Sequence, residues 1–206
     1  RDYVLGSSNP DHQGFFKSKS RLQNRKEFTF SQDNDLKTIN YGIGFSISYL
    51  HDYLPKARTQ GSINSSRVLK FKDGDEQAVN FYYENLKDIF QPDVLICCVP
   101  SSQTGSWGSG FPKLLSKLNG SFVPLETQIS LLKRITTVQK KSHGGERSLD
   151  KELNTTKITD QGLMQDRRIV VIDDVSTTGT SLFAASLKLW DAGANCVAAL
   201  ALSQTR

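Results

Sequence analysis

Residues 168–181 read RIVVIDDVSTTGTS and carry the clearest signal in the chain. An apolar run of strand length ends in two adjacent carboxylates, Asp173 and Asp174. A turn of Ser, Thr and Gly follows, and the apolar pattern of residues 182–192 predicts a helix after it. A strand that is apolar throughout is typical of a parallel sheet covered on both faces. This stretch therefore predicts an α/β fold.

The turn in this stretch has the features of a phosphate site. The first turn of a helix offers N–H groups without intrahelical partners and the positive end of the helix dipole, and Gly179 permits close backbone approach. In open α/β sheets, ligands bind beyond the carboxyl ends of the strands. Two carboxylates there would repel a phosphate unless they face hydroxyl groups or a metal ion. A sugar phosphate with free hydroxyls and bound Mg²⁺ meets both requirements.

The same alternation of strand and helix extends upstream and downstream. We predict strands at residues 93–100, 121–125, 168–175 and 196–202, and helices at residues 75–90, 111–118 and 182–192. Strands that alternate with helices imply an open α/β sheet. Aromatic residues recur every four positions at Tyr41, Phe45, Tyr49 and Tyr53, which predicts one further helix. Residues 58–66 have the composition of a polar linker.

The pattern of residues 169–181 resembles the 5-phosphoribosyl-1-pyrophosphate (PRPP) loop of the type I phosphoribosyltransferases. That loop has four apolar residues, two acidic, two variable, Thr-Thr-Gly, one variable and Thr or Ser; Ser176 stands where an apolar residue is commoner. The resemblance implies that Asp173 and Asp174 are catalytic, hold the ribose 2′- and 3′-hydroxyls and meet the metal indirectly, through substrate and water. It also implies a loop around the 5′-phosphate made of Val175, Ser176, Thr177, Thr178, Gly179, Thr180 and Ser181.

The resemblance extends more weakly over residues 67–206. Ser101 and Ser102 follow the apolar run at 93–100, where the pyrophosphate loop of the family lies. Residues 133–147 are similar to the ComF-like (competence-factor) branch, which has Arg or Thr, then Gln, then Arg in this region. The resemblance implies a lid that closes on pyrophosphate. The candidates to neutralise the leaving group are Arg134, Lys140, Lys141 and Arg147, of which Arg147 is the catalytic candidate.

The resemblance also implies a fold and a division of the chain into two parts. Residues 67–206 would form an open, mostly parallel, Rossmann-like sheet of the type I phosphoribosyltransferase fold. Residues 1–66 would form an α-rich or mixed extension, or a hood over the site. ComF-like proteins usually carry an N-terminal Cys-rich zinc ribbon, which this sequence lacks. The chain stops after the strand that follows the PRPP helix, so we expect no simple nucleobase salvage unless residues 1–66 supply the hood.

Composition narrows the class of protein. The chain has 206 residues, a formal net charge of +5 and 37% hydrophobic residues, which is typical of a soluble globular chain. No apolar stretch approaches the roughly 20 residues that span a bilayer, so we expect no membrane contact. Three cysteines, two of them adjacent at Cys97 and Cys98, suit neither a disulfide framework nor a zinc site. We therefore expect a cytoplasmic protein.

Positive charge is concentrated in two blocks. Residues 1–72 hold 12 basic and 6 acidic residues, and residues 131–168 hold 9 and 5. Such blocks suit phosphates or nucleic acid, although solvated Lys and Arg faces are the alternative. The second block coincides with the implied lid. The first block has no use at a pyrophosphate and is the candidate surface for a nucleic-acid or protein partner.

Two hypotheses for the function follow. In the first, the protein is a Mg²⁺-dependent phosphoribosyltransferase, in which a nucleophile displaces pyrophosphate from C1 of PRPP or a related ribose phosphate. In the second, it is a non-catalytic ComF-like accessory or effector protein in a DNA- or RNA-processing system, with PRPP or a nucleotide as its ligand. The residues leave the choice between enzyme and binding protein open, together with the acceptor, the pathway and the oligomeric state.

Overall fold

The computed structural model describes residues 3–4, 30, 36–41, 44–54, 62–90, 93–120, 126–139 and 148–206. The strands are β1 (Tyr3–Val4), β2 (Lys37–Asn40), β3 (Ser46–Tyr53), β4 (Val94–Cys98), β5 (Glu126–Thr127), β6 (Leu132–Arg134), β7 (Thr156–Ile158), β8 (Arg168–Ser176) and β9 (Cys196–Thr205). The helices are α1 (Ile63–Lys72), α2 (Glu76–Leu86), α3 (Gly110–Asn119), α4 (Leu149–Thr155) and α5 (Thr180–Asp191).

Seven of these strands form one sheet in the order β1-β2-β3-β9-β8-β4-β5. Strands β3, β9, β8, β4 and β5 run parallel to one another, whereas β2 is antiparallel to β3. Strands β6 and β7 pair separately as an antiparallel two-stranded sheet. The expected α/β class with an open, mostly parallel sheet is confirmed.

Apolar clusters cover both faces of the seven-stranded sheet. On one face, Phe183 of α5 packs in a cluster with Val171 of β8. On the other face, Phe111 of α3 and Tyr82 of α2 pack in a cluster with Ile172 of β8. Successive strand residues point to opposite faces, so the two neighbours on β8 belong to different clusters. The continuous apolar character of the central strands follows from this double coverage.

The helices and strands predicted from the apolar patterns are largely confirmed. Helices α2, α3 and α5 lie at the predicted places, and so do strands β4, β8 and β9. Asp75 begins α2 as its N-cap, and its carboxylate accepts the Ala78 backbone N–H at 2.9 Å. The strand predicted at residues 121–125 lies outside the described residues. The linker predicted at 58–66 is wrong at its end, because α1 begins at Ile63.

The helix predicted from the aromatic residues at positions 41–53 is wrong, since residues 46–53 form strand β3. A spacing of four residues is about one helical turn, but it is also two periods of a strand, so it fits both structures. The residue between Phe45 and Tyr49 distinguishes a strand from a helix. Ile47 lies in the same buried cluster as Phe45 and Tyr49, which gives the period of two that a strand requires.

Part of the predicted N-terminal extension adds directly to the main sheet. Strand β3 is parallel to β9, with Ile47 opposite Ala199 and His51 opposite Ser203. The described part of residues 1–66 therefore contributes strands as well as the start of α1. The division of the chain at residue 66 stays a prediction.

Candidate phosphate-binding site

Two loops meet at the carboxyl ends of adjacent parallel strands. The Thr/Gly loop, residues 176–181, runs from the last residue of β8 into the first turn of α5, and the Ser/Gly loop, residues 101–109, lies after β4. From β8 the chain passes through α5 to β9 on one side, whereas from β4 it passes through α3 to β5 on the other. Where the connections of neighbouring strands diverge, an open α/β sheet has a ligand-binding crevice. The sheet order therefore locates the candidate site between these two loops.

The helices that leave the two loops begin without a side-chain cap. Ser62, Asp75 and Ser148 cap helices α1, α2 and α4, each by accepting a backbone N–H. Gly179 before α5 and Ser109 before α3 make no such side-chain bond. The first N–H groups of a helix have no intrahelical partner. At α5 these groups and the positive end of the dipole suit an anion.

Hydroxyl and amide groups hold the Thr/Gly loop in shape. The Oγ1 atoms of Thr178 and Thr180 lie 2.8 Å apart in buried positions, and those of Thr177 and Thr205 lie 3.0 Å apart. The side chain of Gln204 donates from Nε2 to the backbone oxygen of Thr177 at 3.0 Å. Its Oε1 is buried without a hydrogen-bond partner among the described residues. Strand β9 thus fixes the first half of the loop.

Gly179 stands where the loop turns into α5, with φ at 77°. A Cβ atom at this position would overlap the hydroxyl of Tyr41 and would lie 2.7 Å from Cδ1 of Ile47. Only glycine accepts both the left-handed backbone and this close packing. Burial raises the pKa of the Tyr41 phenol, and the nearby Ser176 hydroxyl offsets only part of that effect. The glycine therefore permits close packing within the protein itself.

Asp173 and Asp174 are half-buried near the end of β8. Each carboxylate accepts the backbone N–H of the next residue, from Asp174 at 2.9 Å and from Val175 at 2.6 Å. Lys72, the last residue of α1, lies with Nζ 3.1 Å from Oδ1 of Asp174. Burial alone would lower the pKa of Lys72, but the attraction of Asp174 and then Asp173 raises it overall. Lys72 is therefore charged and neutralises part of the carboxylate pair.

The two carboxylates suit a metal ion as indirect partners. Among the described residues, no group of three or more His, Cys, Asp or Glu side chains could enclose a metal. Mg²⁺ usually keeps waters and takes one or two carboxylates together with substrate phosphates. Asp173 and Asp174, next to a candidate phosphate loop, fit that set. Lys72 would have to share Asp174 with such an ion.

The Ser/Gly loop is tied to the segment that begins with β6. The backbone oxygen of Ser102 accepts the N–H of Val138 at 2.9 Å. Thr104 bonds to Oγ1 of Thr137 through both its backbone nitrogen, at 3.2 Å, and its hydroxyl, at 2.9 Å. Trp107 donates from Nε1 to a backbone oxygen of β6 at 3.1 Å. The conformation of this loop therefore depends on a segment that is distant in the sequence.

Arg134, a predicted lid residue, is buried behind the Ser/Gly loop. Its side chain is 3% exposed and pairs with Glu152 of α4, with Nη2 2.9 Å from Oε2. Its Nε donates to the backbone oxygen of Ser101 at 3.0 Å, and its Nη1 donates to Oγ1 of Thr155 at 2.6 Å. Glu152 Oε1 accepts the hydroxyl of Ser181 at 3.3 Å. Arg134 is thus a fixed internal cation rather than a solvent-facing one.

The other predicted site residues fall into two groups. Lys140, Lys141 and Arg147 lie outside the described residues. Within the described part, strand β8 and the Thr/Gly loop bring the carboxylates and the hydroxyl residues together, and the neighbouring strand β4 carries the loop with Ser101 and Ser102. Both serines are half-buried.

Four residues of the site were not predicted from the sequence: Lys72, Tyr41, Glu152 and Gln204. Only Gln204 has a local signal. The apolar run of β9 ends in Ser203 and Gln204, so polar side chains stand at the carboxyl end of a buried strand, as Asp173 and Asp174 do on β8. The other residues reach the site through tertiary packing, for which no short pattern exists.

Neither of the adjacent cysteines is a candidate catalytic residue, and the described helices are not candidate membrane spans. Cys97, Cys98 and Cys196 are buried and free. Burial raises the pKa of Cys97 and of Cys98, so neither is a reactive thiolate. Within the described part of the chain, the helices are too short or too polar to cross a bilayer.

Several solved structures match this chain, whereas no family model and no curated protein matches it. Among solved structures, the chain is similar to the crystal structure of purine phosphoribosyltransferase from Pyrococcus horikoshii Ot3, with 20% sequence identity and a TM-score of 0.37. The similarity covers 68% of this chain and 74% of that chain.

Proposed function

We propose that the chain binds PRPP or a related ribose phosphate and transfers its 5-phosphoribosyl group, with release of pyrophosphate, in a Mg²⁺-dependent reaction. One observation carries this proposal. The Thr/Gly loop, which leads into a helix without a side-chain cap, and the Ser/Gly loop lie side by side where the connections of the sheet diverge. PRPP carries an anionic group on either side of its ribose, so it requires two anion sites at one crevice.

The Thr/Gly loop suits the 5′-phosphate. Its helix α5 presents N–H groups and the positive end of the helix dipole. Thr177 is exposed and Ser181 is half-buried, so a ligand can reach their hydroxyls, which bond to Thr205 and Glu152. The hydroxyls of Thr178 and Thr180 are buried and bond to each other. This division supports a loop in which some hydroxyls bind and others hold the shape.

Asp173 and Asp174 suit the ribose. Carboxylates accept hydrogen bonds from hydroxyl groups, and such charge-assisted bonds are stronger than neutral ones. The pair stands at the end of β8, directly before the Thr/Gly loop. A ribose held there would have its 5′-phosphate at the loop and its C1 directed toward the Ser/Gly loop.

The Ser/Gly loop suits the pyrophosphate, with Ser101 and Ser102 as its proposed binding residues and with Lys140, Lys141 and Arg147 as the proposed lid. In the reaction, a bond forms between the nucleophile and C1 while the bond from C1 to oxygen breaks, and pyrophosphate leaves with the electron pair. The chain contributes by holding the ribose in position and by placing donors where charge develops. Bound Mg²⁺ would neutralise part of the pyrophosphate charge.

Isothermal titration with PRPP, in the presence and absence of Mg²⁺, tests the proposal. We expect binding to the wild type, and we expect the double variant Asp173→Asn/Asp174→Asn to abolish it. The matched control is Glu84→Gln/Asp88→Asn, which removes the same charge from exposed positions in the last turn of α2 and just after it. This control should bind PRPP as the wild type does.

The outcomes separate the two hypotheses for the function. Release of pyrophosphate with any nucleobase supports the transferase. Binding of PRPP without release of pyrophosphate supports a non-catalytic binding protein, whose proposed partner surface is residues 1–72. A gel shift with single-stranded DNA or RNA that weakens steeply with salt would support a nucleic-acid partner there. Absence of PRPP binding and of pyrophosphate release contradicts the proposal.

A further inference from the structure

A chain of hydrogen bonds with a buried ion pair at its centre joins the two loops of the candidate site. It begins at the backbone oxygen of Ser101 in the Ser/Gly loop, which accepts from Nε of Arg134 at 3.0 Å. It continues through the ion pair of Arg134 with Glu152, at 2.9 Å. It ends at the hydroxyl of Ser181 in the Thr/Gly loop, which donates to the second oxygen of Glu152 at 3.3 Å.

The two ions of this chain have little contact with water. The side chains of Arg134 and Glu152 are 3% and 6% exposed. A buried ion pair with several additional bonds has one good geometry, because each ion depends on its partners for compensation. Thr155 supports the pair, since its Oγ1 accepts from Arg134 at 2.6 Å and donates to the backbone oxygen of Lys151 at 2.6 Å. Helix α4 thus holds both ions at one place.

From this geometry we infer that Arg134 and Glu152 are positioning residues that set the separation of the two loops, so that the two anionic ends of a single ligand are bound together. The inference rests on the proposed function. Neither side chain is exposed enough to bind a phosphate itself, so each acts through a loop residue, Arg134 through Ser101 and Glu152 through Ser181. The two residues should therefore affect the two ends of the ligand differently.

Arg134→Lys tests the part of the hydrogen-bond chain that leads to Ser101. A lysine keeps the charge that faces Glu152, but its single nitrogen cannot also reach the backbone oxygen of Ser101 as the planar guanidinium does. We expect the affinity for pyrophosphate to fall about tenfold and the affinity for ribose 5-phosphate to stay within about twofold of the wild type.

Glu152→Ala tests both ends of the hydrogen-bond chain. It removes the carboxylate that accepts from Ser181, and it deprives Arg134 of its ion-pair partner. We expect the affinity for ribose 5-phosphate to fall about fivefold and that for pyrophosphate about tenfold. The affinity for PRPP should fall by more than either, because the binding of two linked groups depends on their separation. All three ligands are titrated in Mg²⁺ well below the melting temperature of each variant.

Leu86→Ala is the control for loss of stability alone. Leu86 is fully buried in the cluster around α2, and its apolar side chain takes no part in the hydrogen bonds that join the two loops. We expect this variant to melt at a lower temperature and to bind all three ligands as the wild type does.

The results distinguish the inference from the proposed function. A wild type that binds neither PRPP nor ribose 5-phosphate overturns both. A wild type that binds the ligands, with folded variants whose affinities stay within twofold, overturns the inference alone. Equal losses in Leu86→Ala overturn it as well. If Glu152→Ala does not fold, Arg134→Lys decides, since an unchanged affinity for pyrophosphate would then contradict the inference.

Discussion

The two loops at the crevice are held in different ways. The Thr/Gly loop is short and packs against the main sheet, with Gly179 against Tyr41 and Ile47 and with Thr177 bonded to Gln204. The Ser/Gly loop is longer, and its bonds run to the segment that begins with β6, which belongs to the separate two-stranded sheet. One loop is part of the core, and the other is attached to a smaller element.

This difference has a physical consequence. A change that disturbs the packing under the Thr/Gly loop disturbs the core, so it should lower the stability of the whole chain. A change in the bonds between the Ser/Gly loop and Thr137 involves exposed groups, whose contribution to stability is small. It should alter ligand binding while leaving the free energy of unfolding nearly constant. The predictions below test this contrast.

The largest expected effect comes from a matched pair of glycines, one in each loop. Gly179 and Gly105 have nearly the same φ, 77° and 70°, but a Cβ at Gly105 would meet nothing within 4 Å. Gly179→Ala adds overlap with Tyr41 to the backbone strain, so we expect a loss of about 3 kcal/mol in the free energy of unfolding. Gly105→Ala adds the strain alone, and we expect a loss of about 1 kcal/mol. Urea denaturation measures both, and equal losses would contradict the contrast.

The second-largest effect is expected at acid pH, where the packing beside the Thr/Gly loop should become less stable. His51 is buried between Tyr82 and Ser203, at 2.8 Å from each hydroxyl, and Ser203 precedes the Gln204 that holds the loop. Burial, as the largest cause, lowers the pKa of His51 to about 4. The unfolded chain, with a histidine pKa near 6.5, therefore takes up a proton first as the pH falls.

The stability due to neutral His51 is thus present above pH about 6.5 and is lost as the pH falls toward 4. We expect a loss of roughly 2–3 kcal/mol over that range. Denaturation of the wild type and of His51→Gln at several pH values isolates this contribution, because the variant lacks the titrating group. If the difference between the two proteins stays constant between pH 7 and pH 4, the prediction is wrong.

The sequence predicted the elements that have a local pattern and missed those that depend on packing. The apolar runs of β4, β8 and β9 identify buried strands, because each is a short stretch with its own pattern. The phosphate loop after β8 stays a prediction. The aromatic residues at positions 41–53 led to the wrong prediction of a helix, since a spacing of four residues fits both a helix and a strand.

The ion pairs that support the site could be identified only from the structure. Arg134 was expected in a lid because the resemblance implies one at residues 133–147, but it is buried against Glu152, which lies on another element. The contact of Lys72 with Asp174 joins the end of α1 to the end of β8 in the same way. Such pairs depend on how helices dock on the sheet, and no single stretch of sequence specifies that.

Lys72 offers a smaller test at the boundary between the loops. Its ammonium group lies 3.1 Å from Asp174 and so competes with any cation that approaches this carboxylate. We expect Lys72→Met to lower the Mg²⁺ concentration needed for half-maximal PRPP binding by about threefold, because the carboxylates lose their resident cation. Lys70→Met, an exposed charge on the same helix, is the control and should leave that concentration unchanged. A rise in the required Mg²⁺ would contradict the prediction.

The smallest expected effect isolates the attachment of the Ser/Gly loop. Thr137→Val keeps the shape of the side chain and removes its two bonds to Thr104. Both groups are exposed, so the free energy of unfolding should change by less than about 0.5 kcal/mol. The affinity for pyrophosphate should fall about twofold to threefold, and that for ribose 5-phosphate should not change.

The control for this variant is Thr159→Val, which removes bonds from the Thr159 hydroxyl to the backbone oxygens of Ser130 and Leu131 and none to the Ser/Gly loop. It should leave both affinities unchanged. A parallel fall in the affinity for ribose 5-phosphate in Thr137→Val would mean that the two loops move as one body. In that case the attachment to the β6 segment would matter to both halves of the site, and the contrast between a loop built into the core and a loop held from outside would fail.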